Sequence, residues 1–173
     1  MEFEPGLCTF HYAQSCFEGL KAFHSLDANG QQTGYANIFR PEKNAERLNR
    51  SGERLCIPPI DVNFQVEAMK ELVKVDKKFI PTKRGQSLYL RPFTFGSSSF
   101  LGVQASPEYL FIIITSPVAS YYAGGLEPIK ILVSEEYVRA VRGGIGFTKA
   151  SANYAASLYG GTKAKAQGFS QVL

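Results

Sequence analysis

The sequence predicts a small α+β domain followed by the start of a second, larger domain of α/β type. Three observations carry that reading. Segments rich in aromatic and β-branched residues share the first two thirds of the chain with two helical patterns. A run of small and turn residues, Ala119-Ser-Tyr-Tyr-Ala-Gly-Gly125, then interrupts them. Beyond it, strand, helix and strand signals succeed one another in the order of an α/β unit. On this basis residues 1–116 form the small domain, residues 117–125 link, and residues 126–173 begin a larger domain that is cut short.

Taken in order, Phe17 to Phe23 and Gly34 to Phe39 read as strands joined through Asp27-Ala-Asn-Gly30, whose residue types suit a turn, so a hairpin is expected. Pro41 suits a first helical position, and Ala45, Leu48, Gly52 and Leu55 recur at helical spacing until Pro58-Pro59. A second helix is expected from Asn63 to about Ile80-Pro81, with Phe64, Val66, Met69, Leu72, Val73 and Val75 partly on one face and its lysines in water. Ser87 to Phe95 and Tyr109 to Val118 read as two more strands, and the loop between them is too long for a simple hairpin. Ile129 to Val133 is a strand candidate, Gly143 to Lys149 a glycine-rich turn and Asn153 to Gln167 a helix. Val172-Leu173 is expected to open a further strand with no sheet to join.

Composition limits the functional classes. Of the 173 residues 45% are apolar and 20% charged, the balance of a folding globular chain. The net charge of +4 comes from 19 basic and 15 acidic residues without a long basic run, so neither nucleic acid nor another polymer is implied as partner. The longest apolar run, Tyr109 to Thr115, has the length of a buried strand rather than of the ~20 residues that cross a bilayer. Residues Met1 to Leu7 carry two glutamates and no basic residue, unlike a signal or transit peptide. Cys8, Cys16 and Cys56 show no CxxC spacing, so no thiolate metal site is expected and a reducing compartment is the default.

A lysine that forms a Schiff base needs an amine that is partly desolvated and free of a carboxylate partner. Of the eleven lysines, Lys149 fits best: no acidic residue lies within ten positions of it, and glycines precede it. On residue type alone, a surface lysine at a strand end is the commoner explanation. His11 has no serine or cysteine arranged around it as a nucleophile, and is taken as structural. Gly143-Gly-Ile-Gly146 lacks the GK[ST] ending of a phosphate-binding loop, which removes a nucleotide reading.

The segment GFTKASANYAASL, from Gly146 to Leu158, resembles the motif around the cofactor lysine of branched-chain aminotransferases, pyridoxal-phosphate enzymes of fold-type IV. FHYAQSCFEGLKAF from Phe10, FRPEKNAERLNRSGERLCIP from Phe39 and SLYLRPFTFG from Ser87 follow the same family in the same order. Four ordered segments are far more specific than one, and together they span nearly the whole chain.

The resemblance implies a role for each of several residues. Lys149 would hold pyridoxal 5'-phosphate as a Schiff base and then shuttle a proton at the substrate α-carbon. Tyr154 would hydrogen-bond the cofactor's phenolate oxygen, although by itself it reads equally well as a packed helix aromatic. Arg47 would grip the phosphate, with Arg50 and Arg54 near enough to compete for the assignment, and Arg139 would be a second cofactor contact. Tyr12, Phe17, Tyr89 and Tyr121 would form an apolar cage for leucine, isoleucine or valine. Arg91, with Tyr12 and Tyr121, would receive the side-chain carboxylate of glutamate. Val103 would reach the neighbouring subunit's pocket, which implies a homodimer.

The implied reaction is ping-pong transamination between branched-chain amino acids and 2-oxoglutarate, in the cytoplasm unless a transit peptide precedes the chain, without metal. Family members are longer at both ends, so the acidic partner of the pyridine nitrogen and the rest of the phosphate cup are expected downstream, and this stretch alone is expected to be inactive. Ala150-Ser-Ala152 stands where the family often has glycines. A D-amino acid aminotransferase or an aminodeoxychorismate lyase would share the fold and the lysine, and an inactive dimerisation module is the alternative of a different class.

Overall fold

The computed structural model describes residues 1–119 and 127–173. A short helix, α1 (Cys8–Tyr12), too brief to leave a period in the sequence, precedes strands β1 (Ser15–Phe17), β2 (Leu20–Leu26) and β3 (Gln32–Ile38). Helices α2 (Pro41–Arg54) and α3 (Val62–Asp76) follow, then a 3-10 turn at Lys77–Phe79 and the long strands β4 (Ser87–Gly96) and β5 (Tyr109–Val118). The last part holds β6 (Ile131–Leu132), α4 (Ser151–Ala166) and β7 (Gln171–Val172).

The expected strand from Phe17 to Phe23 is two strands on one line. Phe17 lies opposite Phe93 and Leu20 opposite Leu90, so β1 and β2 keep a single antiparallel register along the same edge of β4. The ladder is interrupted at Glu18-Gly19 because the residue opposite Glu18 is Pro92, which has no N–H to give; its carbonyl still accepts the Glu18 N–H at 2.7 Å. β5 covers the other edge of β4 over its whole length, from Ser87 opposite Val118 to Gly96 opposite Tyr109. β3 closes the far side as the expected hairpin with β2. Its turn is held by Asp27 Oδ1, which accepts the N–H groups of Asn29 and Gln31, and by Gly30 at φ +78°.

Alternation in the strands sends two sets of side chains to opposite faces. One face carries Leu20, Ala22, Leu88 and Leu90, which bury against Met69, Val73 and Ile80. Beside them Cys16 packs with Leu48 and Ile57. Full burial of side chains such as Leu48, Leu88 and Leu90 is worth ~1.5–3 kcal/mol each. The face of α3 is narrower than its pattern suggested: Gln65, Met69 and Val73 are buried, whereas Phe64 and Val75 are exposed. Asp61 caps α3 by accepting the Phe64 N–H, and Lys70 and Lys74 lie in water as expected. The opposite face of the sheet carries Phe17, Tyr89, Arg91 and Phe93, and Lys149 and Tyr154 meet it at Phe17.

The link between α2 and α3 hangs on Asn49. Its Nδ2 donates to the Ile60 carbonyl at 2.7 Å, and its Oδ1 accepts from the Ile60 N–H at 3.0 Å and from Gln65 Nε2 at 3.2 Å. Asn49→Ala removes three hydrogen bonds and leaves the Ile60 N–H without its acceptor, although Gln65 Nε2 still donates to the Ile60 carbonyl at 3.0 Å. It is expected to destabilise the fold by ~1–3 kcal/mol, read as a fall in the urea midpoint with an unchanged slope. A midpoint within error of the wild type would show that the link does not depend on Asn49.

β6 is shorter than the expected Ile129 to Val133, and β7 does not lack a partner: Ile131 pairs with Gln171 and Leu132 with Val172, in parallel. The helix between them makes this a β-α-β unit, which a reading of consecutive elements could not close because the two strands lie about forty residues apart. Most of the expected linker, residues 120–125, lies outside the described residues. Among the described residues no helix is long and apolar enough to cross a membrane.

Candidate active site

Lys149 is the second residue before α4, at the end of a turn in which the Thr148 N–H donates to the Ile145 carbonyl at 2.9 Å. Its peptide is held from both sides. The Lys149 N–H donates to Oγ of the buried Ser51 in α2 at 2.9 Å, and its carbonyl accepts the Phe17 N–H from β1 at 3.1 Å. Cys16 and Ala150 form an antiparallel bridge, and Ser15 Oγ donates to Ser151 Oγ at 2.7 Å. Asn153 secures the turn from within α4 by donating to the carbonyls of Ile145 and Thr148. Three elements therefore fix where the lysine side chain starts, which a glycine-rich turn by itself would leave loose.

The ammonium of Lys149 donates to Tyr154 Oη at 2.7 Å and stands 4.7 Å from the centre of the Phe17 ring. The Tyr154 ring in turn lies 4.8 Å from that of Phe17. Arg91 approaches the same ring, its Cζ 4.2 Å from the centre, while its Nη2 and Nε donate to Tyr89 Oη at 2.8 and 3.1 Å. Phe17 thus carries two cations, a contact its negative π face favours. The pairing explains the meeting: Phe17 lies opposite Phe93, and Arg91 follows two positions along on the same face of β4. Gly19 is required here, since a Cβ at that position would stand 2.1 Å from Tyr89 Oη.

Arg47, half exposed on α2, donates through Nε and Nη2 to both oxygens of Glu18 at 2.5 and 2.7 Å. This hydrogen bond raises the guanidinium above the usual arginine range. Cys16, on the buried side, is no nucleophile: burial first, and then the charge of Glu18, push its thiol up to about 12. An apolar cleft of about 410 Å³ opens beside the cluster, with Phe17, Arg91, Phe10, Phe93 and Ile114 in its wall.

No protein-family model matches the chain. Among curated proteins it is 50% identical over 173 residues to branched-chain-amino-acid aminotransferase 2 of Bacillus subtilis (strain 168), covering 100% of this chain and 46% of that protein. It is 48% identical over 174 residues to the probable branched-chain-amino-acid aminotransferase of Staphylococcus aureus (strain N315), again over 100% of this chain and 47% of the relative. Over its whole length the chain is similar to branched-chain-amino-acid aminotransferases. It spans about half the length of the curated relatives it matches.

Solved structures agree on the fold. The Escherichia coli branched-chain amino acid aminotransferase superposes with a TM-score of 0.77 at 25% identity, over 99% of this chain and 53% of that one. The enzyme of Thermoproteus uzoniensis, solved with norvaline, superposes with a TM-score of 0.79 at 21% identity, over 99% and 53%. The fold is that of the fold-type IV aminotransferases.

Five of the expected residues, Lys149, Tyr154, Phe17, Arg91 and Tyr89, form one connected cluster, and Arg47 is paired instead with Glu18, the residue that follows Phe17. Tyr12 stands apart in α1 and donates through Oη to the Leu101 carbonyl, tying α1 to the loop of residues 97–108. Val103, in that loop, is 88% exposed. Arg139 donates through Nη1 to the Gly146 carbonyl at 3.1 Å, which braces the turn before Lys149 from its own side. Tyr121 lies outside the described residues. Two residues the sequence reading passed over are Glu18 and Ser51. A glutamate inside an otherwise apolar strand, in CFEGL, was a visible signal for the first; nothing local marks a helical serine as the anchor of a peptide 98 positions away.

Proposed function

We propose that the whole protein transfers the amino group of leucine, isoleucine or valine to 2-oxoglutarate with pyridoxal 5'-phosphate as cofactor, giving branched-chain 2-oxo acids and glutamate. The observation that carries the reading is the contact of Lys149 Nζ with Tyr154 Oη at 2.7 Å against the Phe17 ring. The donor set fits the cofactor's three functional groups: an amine for an aldehyde, a phenol for the adjoining ring oxygen, and a guanidinium for a phosphate. Two structures of one further branched-chain amino acid aminotransferase, at 22% identity, carry N-(5'-phosphopyridoxyl)-L-glutamate and pyridoxamine 5'-phosphate, which supports the same choice.

When bound, pyridoxal phosphate supplies an electron sink for the charge left at the substrate α-carbon. The chain's residues do the rest. Lys149 would hold the cofactor through Nζ and would move the substrate's α-proton at that atom. Tyr154 donates from Oη to the ring oxygen, a task its place beside Nζ suits. Arg47 binds the phosphate with the N–H groups that Glu18 leaves free, and Arg139 is assigned a second, weaker part in holding the cofactor. Phe17, Tyr89, Tyr12 and Tyr121 enclose an aliphatic side chain, while Arg91, with Tyr12 and Tyr121, accepts the glutamate carboxylate when the second substrate enters. Residues 1–116 act as the small domain and residues 126–173 begin the cofactor-binding one. Val103 meets the pocket of a second copy in a homodimer, and the protein works in the cytoplasm.

The test is the absorbance of the full chain with pyridoxal phosphate. A near-visible band that leucine bleaches and 2-oxoglutarate restores, with glutamate released in equal amount, is the expected result. A band bleached by D-alanine and untouched by leucine would instead assign the protein to another fold-type IV activity.

A further inference from the structure

Resting on that assignment of Arg47, we propose that Glu18 is a positioning residue for the cofactor phosphate, acting by fixing the plane and direction of the Arg47 guanidinium. Glu18 is fully buried, yet its carboxylate meets four donors: Arg47 Nε and Nη2, Asn44 Nδ2 at 2.9 Å and the Gly19 N–H at 3.2 Å. It can sit there because Pro92 breaks the β1–β2 ladder at this point, and the strand turns the side chain towards α2.

A buried ion pair is a poor source of stability, since removing both charges from water costs about what their attraction returns. What the pair does supply is geometry. An arginine half exposed on a helix samples several rotamers, and binding a ligand through it ordinarily means ordering them. The two-pronged bond to Glu18 does that in advance. Of the five guanidinium N–H groups, the Nε and one Nη2 hydrogen are used inwards. The two on Nη1 and the second on Nη2 make no hydrogen bond among the described residues and remain for an anion.

Two effects of Glu18 on a phosphate oppose one another. Its charge repels the anion, so if Coulomb energy decided the matter, Glu18→Gln would bind phosphate more tightly. If orientation decides, the same variant binds it less well, because glutamine offers one acceptor oxygen in place of a fork. Burial of the carboxylate behind its own counter-ion weakens the repulsion at the outer face and leaves the orientation intact, which favours the second effect.

The experiment measures dissociation constants of the full chain for pyridoxal phosphate and for pyridoxal, which lacks the phosphate, by absorbance titration. The ratio of the two is the phosphate advantage, and a general loss of structure would move both constants together. In Glu18→Gln that advantage is expected to fall about tenfold while pyridoxal binding changes less than about twofold. In an Arg47→Ala background the same substitution is expected to change it by less than about twofold, because there is no guanidinium left to orient. Should Glu18→Gln fail to fold, Asn44→Ala removes one donor to the carboxylate and keeps the fork, with an expected fall of about threefold. An unchanged or larger phosphate advantage in the variant that folds overturns the proposal while leaving the function intact. A wild type with no phosphate advantage overturns both.

Discussion

On the function proposed above, Lys149→Ala is expected to lower the rate of the leucine half-reaction by at least about 10³-fold, the scale set by losing a positioned general base, with loss of the covalent hold on the cofactor added to it. The variant keeps its fold, because the groups that fix this position are peptide groups. The N–H to Ser51 and the carbonyl to Phe17 remain after the side chain is cut back. What disappears is the amine, and with it the contact to Tyr154 and one of the two cations on the Phe17 ring. Single-turnover kinetics with leucine measure the chemical step apart from product release. A small alkylamine added to the variant is expected to restore part of the rate, since the space left has the size of the missing propylamine arm. Retention of activity within tenfold of the wild type, with no response to added amine, would mean that another group moves the proton.

Gly19→Ala is expected to destabilise the fold by ~1–3 kcal/mol, the usual range for forcing an atom into a packed site. The new Cβ would stand 2.1 Å from Oη, 2.8 Å from Cζ and 3.0 Å from Cε2 of Tyr89, so the whole end of the ring must move. That movement separates Tyr89 Oη from Arg91, whose two N–H groups then lose their acceptor. On the function proposed above, the loss falls on 2-oxoglutarate more than on leucine: KM for the oxo acid rises roughly tenfold, because Arg91 receives its distal carboxylate. Thermal unfolding and KM for both substrates are to be compared in Gly19→Ala, in Tyr89→Leu and in the double variant. If the clash is the cause, removing the ring relieves it, and the double variant is less destabilised than the two single costs added together. Additive costs would place the effect of Gly19 elsewhere in the strand.

Much of this architecture was legible in short windows of sequence. Pro41 and the recurrence of Ala45, Leu48 and Gly52 mark α2, because helix start and buried stripe are both properties of neighbouring residues. Asp27 and Gly30 mark the hairpin turn for the same reason, and the aromatic and β-branched runs mark β4 and β5 to within a residue. The lysine stood out through what surrounds it, glycines and an absence of acids. Its connection to Tyr154 was also local, five positions along the chain.

The remainder depended on partners distant in sequence. The break between β1 and β2 comes from Pro92, some seventy residues away, and no pattern in CFEGLKAF announces it. Phe64 and Val75 read as core residues by type, yet the sheet lies on the side of Gln65, Met69 and Val73, and burial follows the partner surface rather than the residue. β7 has a sheet to join because β6 returns beside it in parallel across the length of α4. The composition, most element types and the choice of Lys149 as candidate lysine were legible in the sequence alone, since each follows from side-chain chemistry within a turn or two of backbone. Where that lysine points, what steadies Arg47 and why Gly19 must be glycine were decided by the tertiary structure, because hydrogen bonds from Ser51 and Glu18 and the reach of Tyr89 exist only once distant segments have packed together.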